Sequence, residues 1–252
     1  MATGFLVKKL EELQSGRFPV TFAGMSSIQI GFIAFTFLGP VALWLLSRKV
    51  QSRRLAQGIS LAFAGALLVA YMVNFAWHGK HGLLSLQKAL PMQLCDWAAF
   101  ATLAALVSRR AMAFELAYFW GIAGTAQALF TPAVHIGMDV PTWCFFILHS
   151  AIPAGVFWLM FEFQMRPRPG AFWRVMAWSQ GYLVCALLAN RWTGANFGFL
   201  ASRPEQKTLL DFFPDPHWLY VLCFEGVAVV FFLVLDLPWM RRRGKRRMTN
   251  DE

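Results

Sequence analysis

No two cysteines in this chain stand at the spacing of a zinc ligand set; Cys95, Cys144, Cys185 and Cys223 are each isolated. Glycine-rich phosphate loops of the Walker or Rossmann type are missing as well, which removes the usual nucleotide-binding classes. Charge is scarce: 14% of residues are charged, where an ordinary soluble domain carries about a quarter. That scarcity, with 58% hydrophobic residues, excludes a water-soluble globule and points to an integral membrane protein. The formal charge of +10 would suit a nucleic-acid binder, but the basic residues sit in short clusters between apolar runs. They read instead as topology signals facing anionic lipid heads, so no nucleic-acid partner is expected. No internal repeat is visible, and the N-terminus lacks the short apolar core and cleavage site of a signal peptide.

What is present is a series of apolar runs, each near the roughly 20 residues that a spanning helix needs. They fall at about 22–47, 55–77, 91–108, 112–131, 142–163, 172–190 and 217–239. The expected fold is therefore all-α, a polytopic membrane helix bundle with about seven transmembrane helices. Residues 1–240 form one domain. It opens with a mixed-charge, amphipathic interfacial helix at about 3–15, and a basic cytoplasmic tail follows at 241–252. Seven spans distribute the 23 Lys and Arg unevenly, 15 on the side of the tail and eight on the other. The positive-inside rule then sets the N-terminus outside and the C-terminus inside.

This orientation gathers polar residues in one layer. The run Leu90-Pro91-Met92-Gln93-Leu94-Cys95-Asp96-Trp97 opens the third span. Pro91 suits a first helical position, and Cys95 follows about one turn in, where open N–H groups and the helix dipole favour a thiolate. Gln93 and Asp96, three apart, share a face. His149 lies about two turns down the fifth span; Gln127 and Thr131 end the fourth, Asn190 ends the sixth, and Glu225 is about two turns down the seventh. All fall roughly 5–12 Å below the outer interface at 1.5 Å per residue. Polar side chains are costly in hydrocarbon, so such a layer marks a functional site. Each also has an ordinary structural reading: Asp96 as a first-turn anion, Cys95 as a small buried residue. Pro153, four residues after His149, deprives the His149 carbonyl of its helical donor. The loop 191–200, rich in glycine and aromatics, reads either as a lid or as an interfacial aromatic belt. His78, His81 and His135 fall at helix ends or in outer loops and carry no ligand spacing, so no metal site is assigned. A Cys95–Cys144 disulfide stays open as an alternative in an oxidising compartment.

Four strings, in one order, carry a resemblance. Leu90 to Trp97 resembles the LPxxLC segment of the YwaF family of bacterial integral membrane proteins. Tyr118 to Leu129 with Thr131-Pro132 is similar to its YxWGxxGTxQAxxTP helix, and Phe145 to Ser150 to its FFxxH helix. Gly194 to Leu200, with Pro204 and Leu209-Leu210-Asp211, resembles its GTNYGFL…P…LLD loop. Ala195 and Phe197 depart from that loop, where Thr and Tyr are usual. The resemblance implies a bacterial cytoplasmic membrane protein. It also implies kinship with animal membrane acyltransferases that remodel ether phospholipids through a cysteine nucleophile.

Residues and resemblance meet on Cys95 as nucleophile and His149 as base of a phospholipid acyltransferase or transacylase. Asp96 or Glu225 would orient the imidazole. Gln127, Asn196 or helix N–H groups would hold the oxyanion. Gln93, Thr131, Asn190 and Asn196 are the expected substrate contacts. The expected partners are membrane lipids, a phospholipid donor and a lysolipid acceptor, without a cofactor. The alternatives are a hydrolase using the same pair, or a small transporter or scramblase with a polar path through Asp96, His149 and Glu225.

Overall fold

The computed structural model describes residues 20–21, 25–132, 134, 136–203 and 209–248. The expected interfacial helix at 3–15 lies outside these residues, as do His135 and Pro204. A two-residue antiparallel ladder, Val20–Thr21 with Met25–Ser26, precedes the bundle. Among the described residues seven helices of nine residues or more follow: α1 (Ser27–Val50), α2 (Arg53–Lys80), α3 (Leu94–Ser108), α4 (Ala111–Phe119), α5 (Val140–Glu162), α6 (Ala171–Thr193) and α7 (His217–Met248). Each matches one of the seven apolar runs.

Five of them are long and apolar enough to cross a membrane: α1, α2, α5, α7 up to Met240, and α3 together with the turn Leu86–Ala89. The other two expected spans differ for different reasons. The fourth is not one α-helix: it passes from α4 into a π-helical segment, Trp120–Thr125, and ends in the turn Gln127–Phe130. The sixth, α6, is a continuous helix whose Arg174, Ser179, Gln180 and Asn190 dilute its apolar character. The basic residues from Arg241 onward extend α7 to Met248 instead of forming a separate tail, and residues 249–252 lie outside the described region.

Helix ends follow local chemistry. Ser26 Oγ accepts from the Gln29 amide (3.3 Å) and Gln29 Oε1 accepts from the Ser26 amide (3.4 Å), a capping box. Gln29 Nε2 also donates to the carbonyls of Leu129 (2.8 Å) and Phe130 (3.1 Å), tying the start of α1 to the end of the fourth span. Asp139 Oδ1 caps α5 through the Thr142 amide (2.9 Å), with Pro141 in the first turn.

The bundle is organised around α5. Of its apolar window 72% is buried, against 11% for α7. In the half nearer Ser108 and Glu162, Phe114, Phe119, Ile152, Val156, Trp158 and Leu159 are wholly buried and form a solid core. Glycines let the helices close on one another: a Cβ on Gly121 would meet Ile152 Cγ2 at 2.8 Å, and one on Gly155 would meet Thr102 Cγ2 at 3.2 Å.

Candidate functional site

Above that core the helices part around a cavity of about 1400 Å³, walled by α2, α3, the π-segment, α5, α6 and α7. Its position follows from how α3 begins. Pro91 is not the first helical residue: the helix starts at Leu94 with Gln93 as its cap. The Gln93 amide donates to Asp96 Oδ2 (3.0 Å), and Gln93 Oε1 accepts from the Gly198 amide (2.8 Å). Cys95 is thus the second residue of α3. Its sulfur lies beside the Cys95 and Asp96 amides, in the first turn, where the Asp96 and Trp97 amides reach the Gln93 carbonyl (3.0 and 3.3 Å). A helix of 15 residues spans about 22 Å, less than the roughly 30 Å hydrocarbon thickness. With Arg109 and Arg110 at one interface, the Cys95 end therefore stops short of the other.

His149 comes from α5. The helices α3 and α5 run in one direction and touch where Gly155 meets Thr102 and Leu106. Cys95 lies seven residues before Thr102 and eleven before Leu106, and His149 six before Gly155, so at 1.5 Å per residue the two differ in height by about 2–8 Å. Both line the cavity. His149 Nδ1 is 2.8 Å from the Phe145 carbonyl. A carbonyl only accepts, so Nδ1 carries the proton and Nε2 keeps a lone pair. The ring lies against Phe145, with centroids 4.0 Å apart. The group orienting the imidazole through Nδ1 is thus a backbone carbonyl. Asp96 accepts from the Gln93 amide, and Glu225 accepts from Gln180 Nε2 on α6.

The remaining expected residues divide. Gln93, Asp96, Gln127, Thr131 and Glu225 line the cavity, but the Gln127 amide donates to the Ala123 carbonyl and Thr131 Oγ1 donates to the Gln127 carbonyl (3.3 Å). Asn190 and Asn196 lie outside the lining and build the loop after α6. Asn190 Oδ1 accepts from the Phe197 amide (2.6 Å) and its Nδ2 donates to the Phe197 carbonyl (3.1 Å). Asn196 does the same for Ala201 and Ser202. The loop is clasped from three sides. Besides Gln93, His217 Nε2 bonds the Leu200 carbonyl (2.7 Å) and Tyr220 donates to the Phe199 carbonyl (2.8 Å). Tyr182 donates to the Met92 carbonyl (3.3 Å), and its hydroxyl lies 2.6 Å from where a Cβ on Gly198 would stand. Gly198 has φ +63°, so glycine is required there for both space and backbone. The loop is a strap holding the Cys95 end of α3, whichever of its two sequence readings is preferred.

All four cysteines are free thiols, and Cys144 also lines the cavity. Sequence reasoning missed the contribution of α2, which brings Tyr71, Asn74 and His78 to the lining. Their spacing of three and then four is the helical one-face signal, and it was available in the sequence.

No solved structure matches the chain. A protein of Treponema pallidum (strain Nichols) described as uncharacterized is 26% identical over 230 residues, covering 88% of this chain and 89% of its own. The TMEM164 family model matches residues 22–236, nearly the whole bundle, and the chain therefore belongs to the TMEM164 family.

Proposed function

We propose that the protein is a membrane-embedded acyltransferase that moves a fatty-acyl chain between lipids through a thioester on Cys95, with His149 as the base. The Cys95 proton passes to His149 Nε2 as sulfur attacks an ester carbonyl. The C–O bond breaks, and the departing alkoxide takes the proton from the imidazolium. An acceptor hydroxyl then gives its proton to Nε2 and attacks the thioester; the C–S bond breaks and sulfur regains a proton. In apolar surroundings a standing thiolate is costly, so a neutral base lining the same cavity as the thiol suits this chemistry better than a preformed anion. The Cys95 amide, at the start of α3, is the backbone donor available to a developing oxyanion, a role worth about 3 kcal/mol.

The observation that carries this reading is that Cys95 and His149, from separate helices, line one cavity, with the imidazole lone pair left open by the Phe145 carbonyl. The solid apolar core below weighs against a continuous polar path, and so against a transporter. The test is acyl exchange in vesicles holding a phospholipid with a labelled chain and an unlabelled lysolipid. Cys95→Ala and His149→Gln should each slow transfer by about 100-fold or more. Undiminished exchange in Cys95→Ala sinks the proposal, and labelled free fatty acid in place of labelled product identifies a hydrolase using the same pair.

A further inference from the structure

The chain has four tyrosines, and three of them commit the hydroxyl proton to a backbone carbonyl. Tyr118 donates to Leu235 (3.0 Å), Tyr182 to Met92 (3.3 Å) and Tyr220 to Phe199 (2.8 Å). Tyr71 differs: among the described residues its hydroxyl has no hydrogen-bond partner. It stands nine residues before the end of α2 at Lys80, about 14 Å along the helix, where an open polar group is costly because water is scarce. Its side chain lines the cavity that Cys95 and His149 also line. The ring packs on Phe100 of α3, with centroids 5.8 Å apart. Phe100 follows Asp96 by four residues, so the two share a face of α3, and Cys95 is next to Asp96. The Tyr71 hydroxyl thus comes within electrostatic reach of Asp96 and Cys95. Tyr182 reaches the same two residues from α6, but its proton is held by the Met92 carbonyl.

Acyl transfer at Cys95 needs more donors than α3 supplies. Attack on an ester carbonyl places negative charge on its oxygen, and donors aimed at that oxygen are commonly the largest contribution of such a site. The Asp96 and Trp97 amides are turned to the Gln93 carbonyl, and the Gln127 side-chain amide to the Ala123 carbonyl. We propose that Tyr71 is a catalytic residue of this site, whose phenol donates a hydrogen bond to the oxyanion formed as Cys95 attacks an acyl ester. The proposal rests on the acyl-transfer reading. As the C–S bond forms, the carbonyl π pair moves onto oxygen, where the Cys95 amide and the Tyr71 hydroxyl bond it from two helices. The pair returns as the C–O bond breaks, and the departing alkoxide takes its proton from His149. Tyr71 keeps its own proton throughout and acts as a donor, not as an acid.

Tyr71→Phe keeps the ring against Phe100 and removes only the hydroxyl. The test follows two reactions of the Cys95 sulfur in detergent-purified protein, each located by peptide mass: thioester formation from p-nitrophenyl octanoate, and alkylation by iodoacetamide. Both need the thiol and an open cavity, but only the first passes through an oxyanion. Its leaving group needs no proton, so the comparison isolates the attack. Tyr71→Phe should slow thioester formation by about 100-fold while alkylation stays within about twofold of the parent. Thioester formation at the parent rate overturns the assignment and leaves Cys95 in its role. Equal losses in both reactions overturn it too, since Tyr71 would then only shape the cavity. A parent protein that forms no thioester on Cys95 removes the acyl-transfer reading itself, and the role of Tyr71 with it.

Discussion

Glu115 shows how one carboxylate is accommodated at the end of the bundle nearer Ser108 and Glu162. Its side chain is fully buried, and five donors reach it. From Arg168 come the amide (2.9 Å), Nε (2.9 Å) and Nη2 (3.1 Å); from Arg174 come Nε (3.0 Å) and Nη2 (2.8 Å). The two arginine side chains are 49% and 36% exposed, so each brings a charge that water still stabilises to a buried acceptor that water cannot. A fully buried ion pair loses about 3–5 kcal/mol when one partner is removed. Exposure of the arginines lowers that for Glu115→Gln to about 1–3 kcal/mol. The melting temperature in detergent should fall, and it should fall further for Glu115→Leu, which leaves both guanidiniums and the Arg168 amide unpaired. The same loop explains Arg168→Lys: a single ammonium replaces a fork that engages both carboxylate oxygens, so part of the loss is expected from that change too.

At the scale of elements, the π-segment Trp120–Thr125 is the feature that departs from a simple apolar helix. The Ala126 amide bonds the Gly121 carbonyl at 2.9 Å and Thr125 Oγ1 bonds the Trp120 carbonyl at 3.2 Å, so the ladder is widened by one residue where the cavity begins. Gly121 faces Ile152 and Gly124 faces Leu94, each with a side-chain carbon within 3 Å of a would-be Cβ. The glycines thus fix how closely the segment approaches α5 and the start of α3. Gly121→Val should push the π-segment off α5 at a cost of about 1–3 kcal/mol. Ile152→Ala alone should also destabilise by leaving a void, and the double variant should recover part of the loss. Thermal unfolding of the four proteins in one detergent checks this; simple additivity would mean that the contact does not hold the two helices. The apolar content of residues 112–131 was legible from composition. The π-turn was not, because it depends on packing against α3 and α5 and not on local propensity.

At the scale of the molecule, α7 is fastened at its ends more than along its length. Its first residues bond the strap through His217 and Tyr220, and lower down Tyr118 donates to the Leu235 carbonyl (3.0 Å) while Trp239 donates to Tyr118 (3.1 Å). Between them the helix forms one wall of the cavity, tied to α6 through Gln180 and Glu225. The charge distribution sets how this bundle sits. Arg48, Lys49, Arg109, Arg110, Arg168 and Arg174 flank the solid half, and the cavity opens toward the other. We expect the basic end to face the cytoplasm. A reporter that is active only in the cytoplasm should work when fused after Glu252, and a cysteine placed in the 81–89 segment of a cysteine-free variant should react with an impermeant thiol reagent added outside. The opposite pattern would invert the bundle and turn the cavity inward.

The order of the seven helices, their membrane character and the presence of a polar layer were fixed by composition and spacing alone, because burial in hydrocarbon selects apolar runs of one length and makes each polar residue within them conspicuous. The strings around Cys95 and His149 were legible for the same reason. Partnership was decided only by the fold. Asn190 and Asn196 are polar residues near the site by sequence, yet their amides close a loop; Asp96 and Glu225 bond elsewhere, and a carbonyl on its own helix holds His149. On α2, by contrast, Tyr71, Asn74 and His78 turn toward the cavity. A hydrogen bond is short and directional, so which donor meets which acceptor depends on helix packing and register, and these exist only once the bundle has closed.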